Sequence, residues 1–115
     1  MPKPFSPRNL SDDALRLIAA RFRTLGEANR LKLLSQLEEG PKSVGELVEA
    51  TGLMQANVSR HLQTLTEAGL LARERRGSAV IYSIADPSIF ELCRQVCGGI
   101  QKRLQQQANV FNSGN

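Results

Sequence analysis

The stretch of sequence that decides the fold is Thr51-Gly52-Leu53-Met54-Gln55-Ala56-Asn57-Val58-Ser59-Arg60-His61-Leu62-Gln63-Thr64-Leu65. It predicts a tight turn at Gly52, followed by a helix with two unlike faces. Val58, Leu62 and Leu65 are spaced as i, i+4 and i+7, so they share one apolar face. The opposite face carries groups that hydrogen-bond to base edges and phosphates: Gln55, Asn57, Ser59, Arg60 and Gln63. This helix is a candidate for DNA recognition, although any surface helix also has a polar face.

The residues before this stretch predict three further helices. Ser11 is an N-cap for the first helix, whose apolar positions follow a helical period: Leu15, Ile18, Ala19, Phe22 and Leu25. The second helix opens at Glu27 and is closed by Gly40-Pro41. Ser43, with Glu46 three residues later, predicts a capping box that opens a short third helix. Two short helices joined by a glycine-containing turn form a helix-turn-helix.

The residues after the decisive stretch change to the period of strands. Residues 71–75 and 79–84 predict a hairpin with Arg76-Gly77-Ser78 at its tip. A hairpin in this position is a wing, whose tip reaches the minor groove while the preceding helix enters the major groove. Its candidate DNA contacts are Arg73, Arg75 and Arg76. The alternative is a solvated strand with local ion pairs.

A last helix is predicted to start near Asp86-Pro87-Ser88. Its apolar stripe consists of Ile89, Leu92, Cys93, Val96, Ile100 and Leu104. Gly98-Gly99 interrupts the pattern at a cost of about 1 kcal/mol per glycine, so the helix should kink or end there, or be approached closely by another helix. The predicted organisation is a flexible arm over residues 1–10, one domain over 11–108 and a flexible tail over 109–115.

Composition narrows the classes of protein that fit this pattern. The formal net charge is +4 and the sequence pI about 9.6, which permits binding to a polyanion. No apolar run is long enough for a membrane span, and the first residues lack a signal-peptide core, so the cytoplasm is the expected location. The sequence shows no nucleophile–base pair, phosphate loop or supported carboxylate dyad, and an enzyme is not expected. A protein-interaction module is the main alternative to DNA binding.

Three segments resemble the ArsR/SmtB winged-helix repressors. They are Leu25 to Leu34, Gln55 to Leu71, and Arg75-Arg76-Gly77 with Val80 to Ile84, and the resemblance spans roughly residues 12–100. It implies a mainly α fold with a small β-hairpin, in a homodimer formed by the first and last helices. The apolar stripes on those two helices independently exceed what one small core needs. The resemblance also implies a palindromic operator in double-stranded DNA and release from it by an inducer.

The resemblance and the residue chemistry together predict the DNA contacts. Base edges and phosphates are expected to meet Gln55, Asn57, Ser59 and Arg60, with Thr64 further along the helix. Lys42 and Ser43 are expected to contact phosphate at the start of the third helix, where free backbone N–H groups favour anions. His61 lies within the family's Ser-Arg-His-Leu block, which favours a structural role or a phosphate contact over metal ligation.

The inducer site is the most open question in the sequence. Arsenite-sensing relatives carry Cys-x-Cys in the third helix, which here has no thiol, and most zinc ligands of other relatives are replaced in the last helix. Cys93 and Cys97 remain, and their i, i+4 spacing puts both thiols on one helix face. Such a pair suits arsenite or another soft metal ion as inducer, with no cofactor required. The alternatives are persulfide or redox sensing beside Arg94, and cysteines that serve only in packing.

Overall fold

The structure, a computed structural model, describes Pro7 to Ser113. Most of the arm expected over residues 1–10 lies outside this range, and Pro7–Asn9 form a short 3-10 turn. The helices and strands that follow are α1 (Asp12–Leu25), α2 (Ala28–Glu38), β1 (Lys42–Ser43), α3 (Val44–Thr51), α4 (Gln55–Glu67), β2 (Leu71–Arg76), β3 (Ala79–Ile84) and α5 (Ser88–Ser113). The chain divides between Ala85 and Asp86 into two compact units. The first holds α1 to β3, and the second is α5.

Local capping signals start the helices where the sequence predicts. Ser11 Oγ accepts a hydrogen bond from Ala14 N at 3.1 Å and opens α1. Ser43 and Glu46 form both bonds of the predicted capping box at the start of α3. These bonds satisfy backbone N–H groups that the first turn of a helix leaves without partners.

Gly52 makes the turn between α3 and α4. Its φ of 72° lies in the left-handed region, where a Cβ is costly, and its N–H donates to Val48 O at 2.9 Å. Thr51 Oγ1 accepts a hydrogen bond from Leu53 N at 3.3 Å and holds the next peptide. The predicted helix-turn-helix is therefore confirmed, with α4 starting at Gln55.

The core of the first unit is built from leucine and valine. Val58, Leu62 and Leu65 of α4 are all 0% exposed, which confirms the predicted apolar face. They pack in a core with buried residues from the neighbouring elements: Leu33, Leu34, Leu37, Leu47 and Leu70. Because full burial of one leucine side chain contributes about 1.5–3 kcal/mol, this cluster fixes α4 firmly.

The sheet extends the predicted hairpin by one strand. β2 and β3 pair antiparallel around Gly77, which has a φ of 61°, and β1 adds to the other edge of β3 in the order β1-β3-β2. In the hairpin, Arg73 lies opposite Tyr82 and Arg75 lies opposite Val80. β1 has only two residues, too few for the alternating pattern by which a strand is recognised in a sequence.

The helix α5 runs without interruption through Gly98 and Gly99 to Ser113. Of the alternatives predicted for these glycines, an end of the helix is therefore excluded, and the tail expected from residue 109 is helical as far as Ser113. Two interior glycines cost little beside the many backbone hydrogen bonds of a helix of 26 residues. A Cβ added at either glycine would meet no atom within 4 Å, so no neighbour in the described chain approaches closely there.

Candidate nucleic-acid interface

The helix α4 carries five of the ten side chains predicted to contact DNA. Gln55, Ser59 and Arg60 are exposed, whereas Asn57 and Thr64 are half-buried. Arg60 Nη2 donates to Asn57 Oδ1 at 3.2 Å, so these two candidate DNA contacts are held together. Thr64 Oγ1 donates to Arg60 O at 3.2 Å. Its proton is therefore already used, and Thr64 can only accept a hydrogen bond from DNA.

His61 belongs to the packed side of α4 and not to its polar face. It is 6% exposed, and its Nδ1 accepts a hydrogen bond from Arg30 Nε at 3.3 Å. Its Nε2 lies 3.6 Å from Glu27 Oε2, and Arg30 Nη1 also donates to Thr24 O at 3.0 Å. His61 therefore ties α4 to α2, and Arg30 extends this connection to the end of α1. This position supports the structural role for His61 and leaves it unavailable to a phosphate.

The start of α3 already holds a carboxylate. Ser43 N donates to Glu46 Oε1 at 3.0 Å, and Ser43 Oγ accepts from Glu46 N at 3.1 Å. The backbone and then the side chain of Ser43 lower the pKa of the Glu46 carboxyl by hydrogen bonding. Lys42 Nζ lies 3.3 Å from Glu39 Oε2, and its side chain is only 20% exposed. The predicted phosphate contact at Lys42 and Ser43 must therefore compete with two carboxylates.

The predicted arginines of the wing lie on two different faces. Because side chains alternate along a strand, Arg73 and Arg75 leave β2 on one face and Arg76 leaves on the other. Arg76 Nη2 lies 3.3 Å from Glu74 Oε2, with both side chains exposed. Local ion pairing, the alternative considered for this strand, therefore applies to Arg76. Among the described residues, Arg73 and Arg75 have no ion-pair partner.

A groove of about 560 Å³ lies between α4 and the sheet. Its walls bring together Ser59 of α4 and Arg73 of β2, two residues predicted separately as DNA contacts. The other lining residues are Val44, Gln63, Thr66, Glu67, Val80 and Tyr82. Tyr82 is not singled out by the sequence, since its position within an apolar strand predicts only packing.

The two cysteines lie on α5 as free thiols. Cys93 is half-buried and Cys97 is exposed. Within the described range 7–113, no three His, Cys, Asp or Glu side chains come together as a metal site. In that range, the two thiols are therefore not joined by a third such side chain. In the same range, no helix combines the length and apolar character needed to cross a membrane.

Known regulators share the sequence pattern of this chain. Residues 27–73 match the pattern described as bacterial regulatory protein, arsR family. The uncharacterized HTH-type transcriptional regulator Rv0081 of Mycobacterium tuberculosis is 43% identical over 83 residues, which cover 71% of this chain and 73% of that protein. A Streptomyces lividans protein named as a probable mercury resistance operon repressor is 38% identical over 71 residues, covering 62% of this chain and 57% of its own length.

Solved structures share the fold as well. The crystal structure of Rv0081 has a TM-score of 0.77 at 37% identity and covers 85% of this chain and 99% of that one. The homodimeric winged helix-turn-helix DNA-binding domain Mb0332 of Mycobacterium bovis has a TM-score of 0.72 at 28% identity, covering 85% and 94%. The sequence relatives are transcriptional regulators and not enzymes. With the family pattern in residues 27–73 and these relatives, the chain belongs to the ArsR/SmtB family of winged-helix transcriptional regulators.

Proposed function

We propose that this chain is a homodimeric repressor that binds a palindromic operator through α4 and the arginines of the hairpin. The observation that carries the proposal is the groove that Ser59 of α4 and Arg73 of β2 border together. The helix α4 and the hairpin lie side by side along this protein groove. They can therefore enter the adjacent major and minor grooves of one DNA duplex at the same time. The cytoplasm, where a bacterial regulator meets its DNA, remains the expected location.

Binding to duplexes of controlled sequence tests this proposal. The wild-type protein is titrated onto its operator, onto the same duplex with one half-site scrambled, and onto an unrelated duplex, each at several salt concentrations. A repressor of this kind binds the intact palindrome most tightly, and its affinity falls steeply with salt as counterions are released. Equal, salt-insensitive binding to all three duplexes would favour the alternative of a protein-interaction module.

Exposed apolar side chains on α1 and α5 support the homodimer. Leu15 and Phe22, seven positions apart on one face of α1, are 38% and 55% exposed, and Val96, Ile100 and Leu104 of α5 are 51%, 56% and 59% exposed. Soluble proteins cover extended apolar surfaces of this kind by association. A two-fold dimer also presents two copies of α4 to the two half-sites of a palindrome.

The dimer is tested by light scattering on two matched variants. Leu104→Glu puts a charge into the apolar stripe of α5 and should yield monomers. Gln106→Glu adds the same charge two residues away, where the side chain points away from the stripe, and should leave the dimer intact. If both variants remain dimeric, the α5 stripe is not part of the interface.

We further propose that Cys93 and Cys97 sense the inducer, with arsenite or another soft metal ion first. Their spacing directs both thiols to one side of α5, and Cys97 is exposed to an incoming ligand. The mercury resistance repressor similar to this chain is consistent with a soft metal, since mercury prefers sulfur ligands. A persulfide or redox signal is the alternative chemistry at the same pair, and packing without any sensing is the alternative function.

Operator-bound protein should be titrated with arsenite, zinc and a persulfide donor. We expect arsenite to release the wild type from DNA, while Cys93→Ser and Cys97→Ser stay bound. Release by the persulfide donor alone would assign the pair to sulfur chemistry instead. If no thiol reagent releases the wild type, the cysteines serve in packing only.

A further inference from the structure

The protein groove beside α4 has a position in which one strand of a bound DNA duplex would lie. If α4 lies in the major groove and the hairpin tip in the adjacent minor groove, one sugar-phosphate strand separates the two elements. That strand must pass between α4 and the hairpin. The groove of about 560 Å³ lies in this position. The place of that strand rests on the DNA binding proposed above.

Tyr82 is a buried residue whose polar group has no partner in the described chain. It is only 8% exposed and lines the groove, yet its hydroxyl forms no hydrogen bond among the described residues. The oxygen is not sealed from solvent, since no buried side-chain oxygen or nitrogen in that range lacks a partner. The Tyr82 hydroxyl is therefore a fixed donor that a bound ligand can use.

Two other donors of the groove also have no partner in the part of the chain that the structure describes. Arg73 lies opposite Tyr82 in the hairpin, so both side chains leave the sheet on the same face. Ser59 is exposed on the facing side of α4. By contrast, Gln63 Nε2 donates to Glu67 Oε1 at 3.1 Å and Thr66 Oγ1 donates to Leu62 O at 2.7 Å.

The free donors fit a single phosphodiester. A phosphodiester only accepts hydrogen bonds and carries one negative charge. Two hydroxyls and one guanidinium supply the matching donors and the matching positive charge. Among the described residues, Glu67 is the one carboxylate that lines this groove, and it lies at the C-terminal end of α4. Its charge repels an anion from that end and favours the end where Ser59 lies.

We propose that Tyr82, together with Ser59 and Arg73, binds one backbone phosphate of the strand that separates the two DNA grooves. Tyr82 acts as a positioning residue, because its nearly buried ring fixes where the phosphate sits relative to both α4 and the hairpin. A phosphate contact of this kind fixes the orientation of the protein on the duplex and carries no sequence information.

Tyr82→Phe removes the hydroxyl and keeps the ring. We expect operator and unrelated duplexes alike to bind about tenfold more weakly, as for one lost hydrogen bond to a charged group. The slope of log affinity against log salt should stay unchanged, because the hydroxyl is neutral. Arg73→Gln, the matched variant across the hairpin, should lower that slope by about one. Unchanged melting temperatures would show that both variants are folded.

Duplexes with single methylphosphonates locate the phosphate. One substitution in the separating strand should weaken the wild type more than it weakens Tyr82→Phe, because the hydroxyl's share of that contact is already lost in the variant while Arg73 and Ser59 remain. Additive losses at every position of that strand would overturn the proposal, as would wild-type affinity in Tyr82→Phe. A wild type that binds no duplex in a salt-dependent way would instead overturn the proposed function itself.

A last experiment distinguishes binding of a DNA phosphate from binding of free inorganic phosphate. Tyr82 is the single tyrosine of the chain. Incorporation of fluorotyrosine therefore gives one fluorine NMR signal, which reports on this groove. We expect the signal to shift with duplex and to stay in place with inorganic phosphate. A shift with inorganic phosphate, without coupling to any methylphosphonate, would make the groove a free-anion site and contradict the proposal.

Discussion

Among the described residues, the basic side chains predicted to contact DNA outside α4 fall into two groups, one without an ion-pair partner and one that is already paired. Arg73 and Arg75 share one face of the hairpin, while Lys42 and Arg76 lie beside the carboxylates of Glu39 and Glu74. The sequence predicts all four as DNA contacts because residue type and position along the chain do not show pairing. The pair at Lys42 depends on where α2 ends and β1 begins, and β1 is too short to predict.

The buried position of His61 follows from a pattern that the sequence does contain. Val58, His61, Leu62 and Leu65 together follow the helical period of the packed face, and all four are buried. The family block that surrounds His61 leaves both a structural and a phosphate-binding role open. The pairing of His61 with Arg30 cannot be predicted from the sequence, because the two residues are 31 positions apart.

Arg30→Ala tests the bonds around His61. The change removes the donor to His61 Nδ1 and the donor to Thr24 O, and leaves a nearly buried acceptor without a partner. We expect a loss of about 1–3 kcal/mol in the free energy of unfolding, measured by urea denaturation. The control Arg23→Ala removes an exposed arginine of α1. Equal stability of the two variants would contradict the role assigned to Arg30.

Glu46→Gln tests the charge in the capping box. The lowered pKa of Glu46 means that its carboxylate stabilises the fold at pH values above the ordinary pKa of a glutamate. That stabilisation is lost as the pH falls through the lowered pKa of the folded state. The stability difference between wild type and Glu46→Gln should therefore be largest at neutral pH and shrink in acid.

Urea denaturation at a series of pH values measures this difference. Glu49→Gln, which removes an exposed carboxylate from the same helix without touching the cap, is the matched control. A difference for Glu46→Gln that stays constant down to strongly acidic pH would show that the charge does not contribute through the cap.

The helices and strands differ in how far local sequence determines them. The capping box at Ser43 and the turn at Gly52 are predicted correctly because each depends on residues within four positions. The length of α5 is not predicted, since Gly98-Gly99 and the polar residues after Leu104 are weak local signals against a cooperative helix. The groove beside Tyr82 depends on packing between elements, and no local pattern contains it.

Gly52→Ala tests the turn that sets the start of α4. A Cβ at a φ of 72° is strained whatever the space around it, and the expected cost is about 1–2 kcal/mol in the free energy of unfolding. Gly99→Ala is the matched control, since this glycine is helical and a Cβ there meets no atom within 4 Å. It should leave stability unchanged or raise it. Equal losses in both variants would contradict the account of Gly52.

The whole molecule combines a DNA-binding unit with a helix that carries the candidate sensor. The fold class is predicted by the resemblance to the family and by local sequence patterns, which mark the core positions of α2 to α4 and the strands of the hairpin. The dimer interface and the identity of the inducer cannot be predicted from local sequence patterns. Each depends on surfaces that a second protomer or a ligand must complete, such as Ile100 and Leu104 or the Cys93–Cys97 pair.

The central claim is that α4 and the Arg73–Arg75 face of the hairpin bind DNA together. The most direct measurement is the salt dependence of operator affinity for the wild type, Arg60→Ala, Arg75→Ala and the control Arg23→Ala. We predict weaker binding and a slope lowered by about one for each of Arg60→Ala and Arg75→Ala, with no change for Arg23→Ala. Wild-type affinity and slope in both Arg60→Ala and Arg75→Ala would contradict the account.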